Sequence, residues 1–278
     1  MKKFLKENYQ LLIIWLIFIT IAFTLYLTTN KIFYLLNFSY IGTALSLGVG
    51  LYTHHVKYAR NVCQFAIGLY MLVYLGIINN ENMQIEGFWY YLFLGVFEAA
   101  VIHYLVAKIL GPLFFGRGWC GYACWTGMVL DLLPYKNPKY PRKKHGYIRY
   151  IMFIISFLLV GALFLFKVGN LEKIMLYFFI IGNVLYYLVG VSLALILKDD
   201  RAFCKYICPI TVFLKPASYF SVIRVKCDKE KCINCGKCQR NCPMNVDMTD
   251  NKRTRKNGTE CILCMKCIEE CPRKALHL

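Results

Sequence analysis

Eight cysteines near the C-terminus have the spacing of iron–sulfur ligands. They form two runs of the same pattern, C-x2-C-x2-C-x3-C-P: Cys232, Cys235, Cys238 and Cys242, and then Cys261, Cys264, Cys267 and Cys271. Iron in a cluster prefers soft thiolate ligands. In such runs three cysteines hold one [4Fe–4S] cluster and the fourth holds the other. The spacing therefore predicts two [4Fe–4S] clusters.

The predicted ligand sets are crossed between the runs. One cluster takes Cys232, Cys235, Cys238 and Cys271, and the other takes Cys261, Cys264, Cys267 and Cys242. A zinc site or a disulfide framework is the alternative, but zinc sites usually pair two C-x2-C elements. Gly236 lets the backbone approach the first cluster. Met265 holds the equivalent position in the second run. This indicates that the second cluster does not need the conformational freedom of a glycine there.

Four other cysteines form two C-x3-C pairs: Cys120 with Cys124, and Cys204 with Cys208. A spacing of four residues predicts that both sulfurs of a pair lie on one face of a helix. Two such pairs facing each other would make a four-thiolate site for a metal or a third iron–sulfur cluster. Redox-active dithiols and simple packing as small apolar side chains are the other interpretations. Cys63 and Cys227 have no partner at a useful spacing and are interpreted as structural.

The composition indicates a membrane protein with a basic soluble part. Of the 278 residues 58% are hydrophobic and 17% are charged, whereas about a quarter of a soluble domain is charged. This excludes an ordinary cytosolic enzyme and a disordered chain. The net charge of +18 does not indicate nucleic-acid binding, because the basic residues avoid the long apolar runs. We therefore expect membrane lipid, and not nucleic acid, around the chain.

Six apolar stretches are long enough, or nearly so, to cross a bilayer as helices. They are residues 9–29, 38–52, 61–79, 88–110, 147–168 and 173–197. The predicted fold is mainly α: a polytopic bundle of about six transmembrane helices with a small C-terminal α+β two-cluster ferredoxin domain. The predicted domains are a transmembrane part (1–197), a membrane-edge connector (198–223) and a ferredoxin-type domain (224–278).

The basic residues of the connections predict the orientation. Lysines and arginines favour the cytoplasmic side of a membrane, and six alternating spans place every strongly basic connection there. Both termini are then cytoplasmic, in a multi-pass protein of the cytoplasmic (inner) membrane. That compartment is reducing, so disulfides are not the expected use of these cysteines.

Three ionisable residues lie in or beside the predicted spans. Glu98 and His103 belong to the fourth span, and His54 ends the second. Such residues are functional candidates, and a quinol site needs a proton acceptor near a redox centre. A quinone site, a haem held by His54 and His103, and plain hydrogen bonding all remain open.

The motifs together resemble the membrane-bound polyferredoxins of the NapH-like group, the quinol-oxidising subunits of periplasmic nitrate reductase systems. The resemblance covers about residues 88–278. It is carried by Gly116-Arg117…Cys120…Cys124, by Cys204…Cys208-Pro209, and by the two cluster runs. One departure is Trp125, which follows the first C-x3-C pair in place of a proline.

The resemblance implies electron transfer between the quinone pool, or another membrane partner, and the [4Fe–4S] clusters. A redox partner protein or complex is expected with it. The group also includes relatives assigned to copper reduction during oxidase assembly. A membrane oxidoreductase that reduces a metal ion is therefore the second hypothesis, and whether the chain is itself an enzyme stays open.

Overall fold

The computed structural model describes residues 2–97 and 99–278, and this part of the chain is mainly helical. In chain order the helices are α1 (Lys2–Thr29), α2 (Ile32–Thr53), α3 (Ala59–Leu69), α4 (Ile85–Phe93), α5 (Ala99–Tyr104), α6 (Gly111–Phe115), α7 (Gly118–Tyr122), α8 (Trp125–Leu130), α9 (Ile148–Leu165), α10 (Leu171–Leu197), α11 (Ala202–Tyr206), α12 (Thr211–Tyr219), α13 (Lys237–Arg240) and α14 (Lys266–Glu269). A π-helical segment, Tyr70–Ile78, continues α3, and another, Leu105–Leu110, joins α5 to α6. Short 3-10 turns cover His145–Tyr147 and Gly258–Glu260.

Five helices are long and apolar enough to cross a membrane. Their spans are Leu11–Thr29, Ile32–Thr53, Ala59–Ile78, His145–Leu165 and Leu171–Leu197. Large apolar side chains such as Leu27, Leu158 and Ile196 are exposed on these helices, as expected for surfaces that contact lipid instead of water. The five helices indicate a membrane protein, and they overlap five of the six predicted spans.

The predicted fourth span, residues 88–110, is wrong as a single helix. The rings of Phe88 and Tyr104 stack with centroids 4.9 Å apart, whereas sixteen residues of straight helix would separate them by about 24 Å. The chain turns between α4 and α5, where Gly95 has a φ of +68° that favours glycine. Because both halves are apolar, the hydropathy pattern shows no break. The returning helix, Ala100–Phe115, is apolar but shorter than the other five.

The segment before α4 is buried beside the long helices. Asn82 donates through Nδ2 to the carbonyl of Met175 on α10 (3.0 Å), and Gly182 on the same helix lies against the side chain of Gln84. Within α4, Trp89 donates through Nε1 to Ser156 on α9 (3.1 Å). The segment from Asn82 through α4 therefore packs between the long helices α9 and α10 instead of continuing the preceding helix.

The C-terminal domain is small and rests on the short helices that follow α6 and α10. Its two strands, β1 (Lys226–Cys227) and β2 (Leu276–His277), form an antiparallel pair. Met244, Ile262 and Leu263 of this domain share one apolar core with Leu130 on α8 and Phe203 on α11. The core is continuous across the junction, so the domain is held against the membrane part.

Candidate iron–sulfur centres

The eight C-terminal cysteines line two separate hollows. One is lined by Cys232, Cys235, Cys238 and Cys271, together with Cys227. The other is lined by Cys242, Cys261, Cys264 and Cys267. In each hollow three cysteines come from one run and the fourth from the other. The structure thus brings together the same residues that the crossed scheme assigns to each cluster.

Each run curls through three residues with positive φ at matching positions. They are Asn234, Gly236 and Asn245 in the first run (51°, 70° and 54°), and Leu263, Met265 and Lys274 in the second (51°, 62° and 48°). Such residues turn successive backbone N–H groups toward one side and create a concavity that suits an anion. The expectation that Met265 needs no such freedom is therefore wrong, because it adopts the left-handed conformation without being glycine.

Backbone amides also bond the fourth sulfur of each run. The amide of Val246 donates to Cys242 Sγ and that of Ala275 to Cys271 Sγ, both at 3.3 Å. These two bonds are equivalent, four residues after the ligand in each case. Soft sulfur donors, a hollow between them and inward amides fit a negatively charged [4Fe–4S] cluster in both places.

The expectation that each C-x3-C pair lies on one helical face is wrong. Cys120 lies in α7, but Cys124 lies beyond its end and is the N-cap of α8. Cys204 lies in α11, but Cys208 lies beyond its end. Pro209 follows directly and disfavours the helical conformation for Cys208. Both pairs therefore sit on short helix–loop segments.

The two pairs nevertheless meet in one buried place. Cys120 and Cys204 are 7% and 5% exposed. Burial raises the pKa of the Cys208 thiol, and the neighbouring Cys204, Cys120 and Cys124 raise it further because thiolates repel one another. None of the four forms a disulfide. We name this group the four-cysteine centre.

The four-cysteine centre does not have the spacing of a single-ion site. Throughout residues 2–97 and 99–278, no three His, Cys, Asp or Glu side chains are close enough together to hold one metal ion. The eight ferredoxin cysteines likewise form no group of three that is close enough together to hold one metal ion. This is expected for cluster ligands, because each of them binds a different iron.

Two arginines cross-link the loops of the four-cysteine centre. Arg117, three residues before Cys120, donates through Nη2 to Cys120 Sγ (3.8 Å) and to the carbonyl of Cys204 (3.5 Å). Arg201, three residues before Cys204, donates through Nη1 to Cys204 Sγ (3.8 Å) and to the carbonyl of Cys120 (3.2 Å). Each arginine thus contacts its own sulfur and the other loop, which gives the centre an approximate two-fold symmetry.

One carboxylate of the C-terminal domain pairs with the arginines on one side of the centre. Glu260 accepts from Arg117, from Arg142 (2.9 Å) and from Arg149 (3.0 Å). The side chain of Glu260 is 2% exposed. The next residue, Cys261, accepts a hydrogen bond from the amide of Arg117 (3.2 Å). A single residue, Arg117, therefore contacts both the four-cysteine centre and a ferredoxin cysteine.

On the other side, Asp131 pairs with Arg201 (2.5 Å) and Arg60 (2.7 Å). Burial opposes the charge on this carboxyl, but the two guanidinium groups outweigh it and hold the pKa of Asp131 below its usual range. The segment 199–201, just before Cys204, is also buried, and Asp199 pairs with Lys205 (2.7 Å).

The structure does not bring His54 and His103, two of the three candidate quinone residues, into contact. Glu98 lies outside the described residues. His54 is exposed at the end of α2, and no hydrogen bond or ring contact joins it to His103 in the described part of the chain. His103 packs edge-on against Trp119 with centroids 5.0 Å apart, and its buried Nε2 has no hydrogen-bond partner among the described residues.

Sequence reasoning missed Lys108 and Glu260. Lys108 is 2% exposed, and its ammonium lies 4.4 Å from the ring centroid of Trp119. No carboxylate of the described residues forms a salt bridge with it. A lysine within an apolar helix is a readable signal for a functional residue. Glu260 gives no such signal, because its three arginine partners are more than a hundred residues away along the chain.

Two family descriptions match the chain. Residues 224–272 match a 4Fe-4S dicluster domain. Residues 100–143 and 176–226 match a 4Fe-4S binding domain, and these ranges include the four-cysteine centre and none of the eight ferredoxin cysteines. No solved structure matches the chain at a significant level.

Three curated relatives are distant. "Uncharacterized protein MJ0749" of Methanocaldococcus jannaschii is 27% identical over 183 residues, which cover 63% of this chain and 70% of that protein. "Uncharacterized protein MJ0750" of the same organism is 26% identical over 52% of this chain and 66% of that protein. "Putative electron transport protein YccM" of Escherichia coli is 26% identical over 54% of this chain, and the match spans about half (47%) of its own length. The spacing of the cysteines, the two hollows and the matched dicluster domain agree, and the chain is an iron–sulfur protein that binds two [4Fe–4S] clusters.

Proposed function

We propose that the protein is a membrane-bound electron-transfer protein that relays electrons between the membrane and its two [4Fe–4S] clusters. The observation that carries this proposal is the way the dicluster domain is docked. Its loop 260–263 contacts the membrane part through Glu260 and also through Leu263, whose carbonyl accepts from the Tyr122 hydroxyl (2.9 Å). A cluster-bearing loop held by these contacts against a buried cysteine site suits a path for electrons. The name of the E. coli relative supports the same role.

We assign the crossed ligand sets to the two hollows. Cys242 and Cys267 of one hollow are buried, and that hollow lies beside the membrane part. Cys235 of the other hollow is exposed. When bound, the clusters exchange single electrons, so the exposed hollow suits a soluble redox partner and the buried one suits the membrane side.

The proposed membrane-side donor is a quinol. Its oxidation to quinone releases two electrons and two protons, and the electrons must leave one at a time through one-electron carriers. His103, with an unpartnered buried Nε2, supports a role as acceptor of one of the protons. The proposed proton acceptor is His103 alone, because His54 is exposed at the end of α2 and Glu98 lies outside the described residues. In this proposal the protein lies in the cytoplasmic membrane with both termini and the dicluster domain in the cytoplasm, as in the NapH-like proteins that it resembles.

Anaerobic proteoliposomes that contain the full chain would test this function. A reduced quinone analogue is added, and bleaching of the visible absorption of the clusters is followed. We expect rapid bleaching, and His103→Gln should slow it by about 100-fold, the usual loss for a missing proton acceptor. His145→Gln is the control, because His145 is exposed in a 3-10 turn outside the site.

Two results would contradict the quinol proposal. Clusters that stay oxidised with quinol but are reduced by dithionite would show that quinol is not the donor. Reduction of Cu(II) by the dithionite-reduced protein, without quinol oxidation, would support a metal reductase instead. Equal rates for His103→Gln and the control would remove His103 from the proton path only.

A further inference from the structure

We propose that Cys120, Cys124, Cys204 and Cys208 ligate a third [4Fe–4S] cluster, whose negative charge is compensated by the buried cations around it. This deepens the proposed function and rests on it, because the third cluster would lie between the membrane and the dicluster domain. The matched 4Fe-4S binding domain spans these cysteines. The ligands and the charge compensation follow from the contacts described below.

The main observation behind this proposal is an excess of buried positive charge around the four-cysteine centre. Six cationic side chains with little exposure surround the centre: Arg60, Lys108, Arg117, Arg142, Arg149 and Arg201. Among the described residues, two carboxylates, Asp131 and Glu260, form salt bridges with the five arginines. If Asp200 is also counted as charged, three of the six positive charges still lack a counter-charge in the part of the chain that the structure describes.

Several donors of these cations also lack an acceptor. Arg117 Nε, Arg149 Nε and Arg142 Nη1 are buried without a hydrogen-bond partner among the described residues. A buried charge without a partner is costly, by several kcal/mol for each ion. An uncompensated cluster of this kind points to an anionic occupant.

A [4Fe–4S] cluster with four thiolates supplies the missing charge. Its net charge is about −2 when oxidised and about −3 when reduced. Four neutral thiols that only fill space would leave the cations unpaired, so simple packing does not account for the arrangement. A single ion does not suit it either, because the cysteines lack single-ion spacing.

The arginines would also act on the sulfur ligands directly. Arg117 and Arg201 each approach one sulfur at 3.8 Å, and hydrogen bonds to the sulfurs are among the factors that set the potential of a cluster. We assign both as positioning residues.

Each electron that enters the third centre reduces its core by one unit, and the same electron leaves to the cluster on Cys261, so the centre ends each transfer unchanged.

The test is the iron and acid-labile sulfide content of the full chain, purified anaerobically in detergent, with EPR of the reduced protein. We expect about twelve irons per chain and three EPR signals, since each [4Fe–4S] cluster holds four irons. Cys120→Ala/Cys204→Ala should lower the count to about eight and remove one signal. Cys63→Ala is the matched control, because Cys63 is buried nearby and donates to the carbonyl of Tyr122 (3.7 Å); it should leave all three signals.

The outcomes separate this inference from the proposed function. About eight irons in both the unmodified chain and the double variant would overturn the third cluster and leave the electron-transfer role intact. Eight irons with zinc would mean a single-ion site and would also overturn it. Nearly no iron in the anaerobic protein would overturn both.

A second variant tests the positioning role without removing a ligand. Arg201→Lys keeps the charge but cannot reproduce the forked hydrogen bonds. We expect the midpoint potential of the third signal to become more negative, because a donor to a reduced, more negative cluster is lost. The other two potentials should not change. Three unchanged potentials would remove Arg201 from this role.

Discussion

Replacing Glu260 with glutamine should release the dicluster domain from the membrane part. The carboxylate is buried and accepts from three arginines, two of which, Arg117 and Arg149, have side chains that are 0% exposed. Glutamine is neutral and removes the carboxylate charge that pairs with these guanidinium groups. Breaking a buried ion pair costs about 3–5 kcal/mol, and every 1.4 kcal/mol corresponds to about tenfold in an equilibrium constant. The docked state should therefore be weakened by about 100- to 4,000-fold.

Hydrogen exchange reports this weakening directly. The amide of Arg117 bonds to Cys261, and the amides of Val222 and Ile223 bond to the carbonyls of Leu113 and Phe114. These amides cross the junction, so they should exchange faster in Glu260→Gln by up to the same factor if they open by local undocking. The iron content should not fall, because no cluster ligand is changed.

Glu270→Gln is the matched control for charge and side-chain shape. Glu270 pairs with Lys237 at 2.8 Å, and both side chains are nearly half exposed. Exposed pairs contribute about 0–1 kcal/mol, so exchange at the junction should stay as in the unmodified protein. Equal protection of the junction amides in Glu260→Gln and Glu270→Gln would refute the reasoning.

Three further predictions concern single positions. Cys271→Ser should change the EPR signal of the cluster on Cys232, Cys235 and Cys238 and leave the other ferredoxin cluster unchanged. Cys242→Ser should change the signal of the cluster on Cys261, Cys264 and Cys267 instead. If each substitution changed only the cluster of its own run, the crossed ligand sets would be refuted. Gly121→Ala should destabilise the junction by about 1–3 kcal/mol, a usual cost of overpacking, because its Cβ would meet the carbonyl of Ile262; thermal unfolding checks this against Gly169→Ala, whose Cβ meets nothing within 4 Å. Burial raises the pKa of Asp200 to about 6, so the folded protein loses stability as the pH rises from about 4 through 6 and the carboxyl becomes charged. Asp200→Asn should therefore raise the melting temperature at pH 8 and leave it unchanged at pH 4. Equal changes of melting temperature at both pH values would contradict this.

The cysteine runs were readable because their information is local. Three ligands of each cluster lie within seven residues, and the loop that carries them is defined by its own backbone angles. The fourth ligand comes from the other run, and the repeat of the pattern indicates that too. The left-handed conformation of Met265 was not readable, because a residue other than glycine gives no local sign of it.

The hydropathy pattern located the long helices but not the reversal of the chain between α4 and α5. It measures how apolar a stretch is and not whether the chain keeps its direction. The reversal between α4 and α5 depends on aromatic packing, such as that of Phe88 on Tyr104, and on the burial of Asn82 against α10. These are contacts between separate helices.

The sequence by itself determined the chemistry of this protein: which cysteines can hold iron, and that long apolar helices accompany them. The tertiary structure decided which charges and loops meet. It brought the two C-x3-C loops together although Arg117 and Cys204 are 87 positions apart, and it paired Arg117 with Glu260 across 143 positions. The spacing of residues along a chain reports on neighbours within a few turns. The pairing of buried charges depends on how distant segments pack, because only there is water excluded and a partner required.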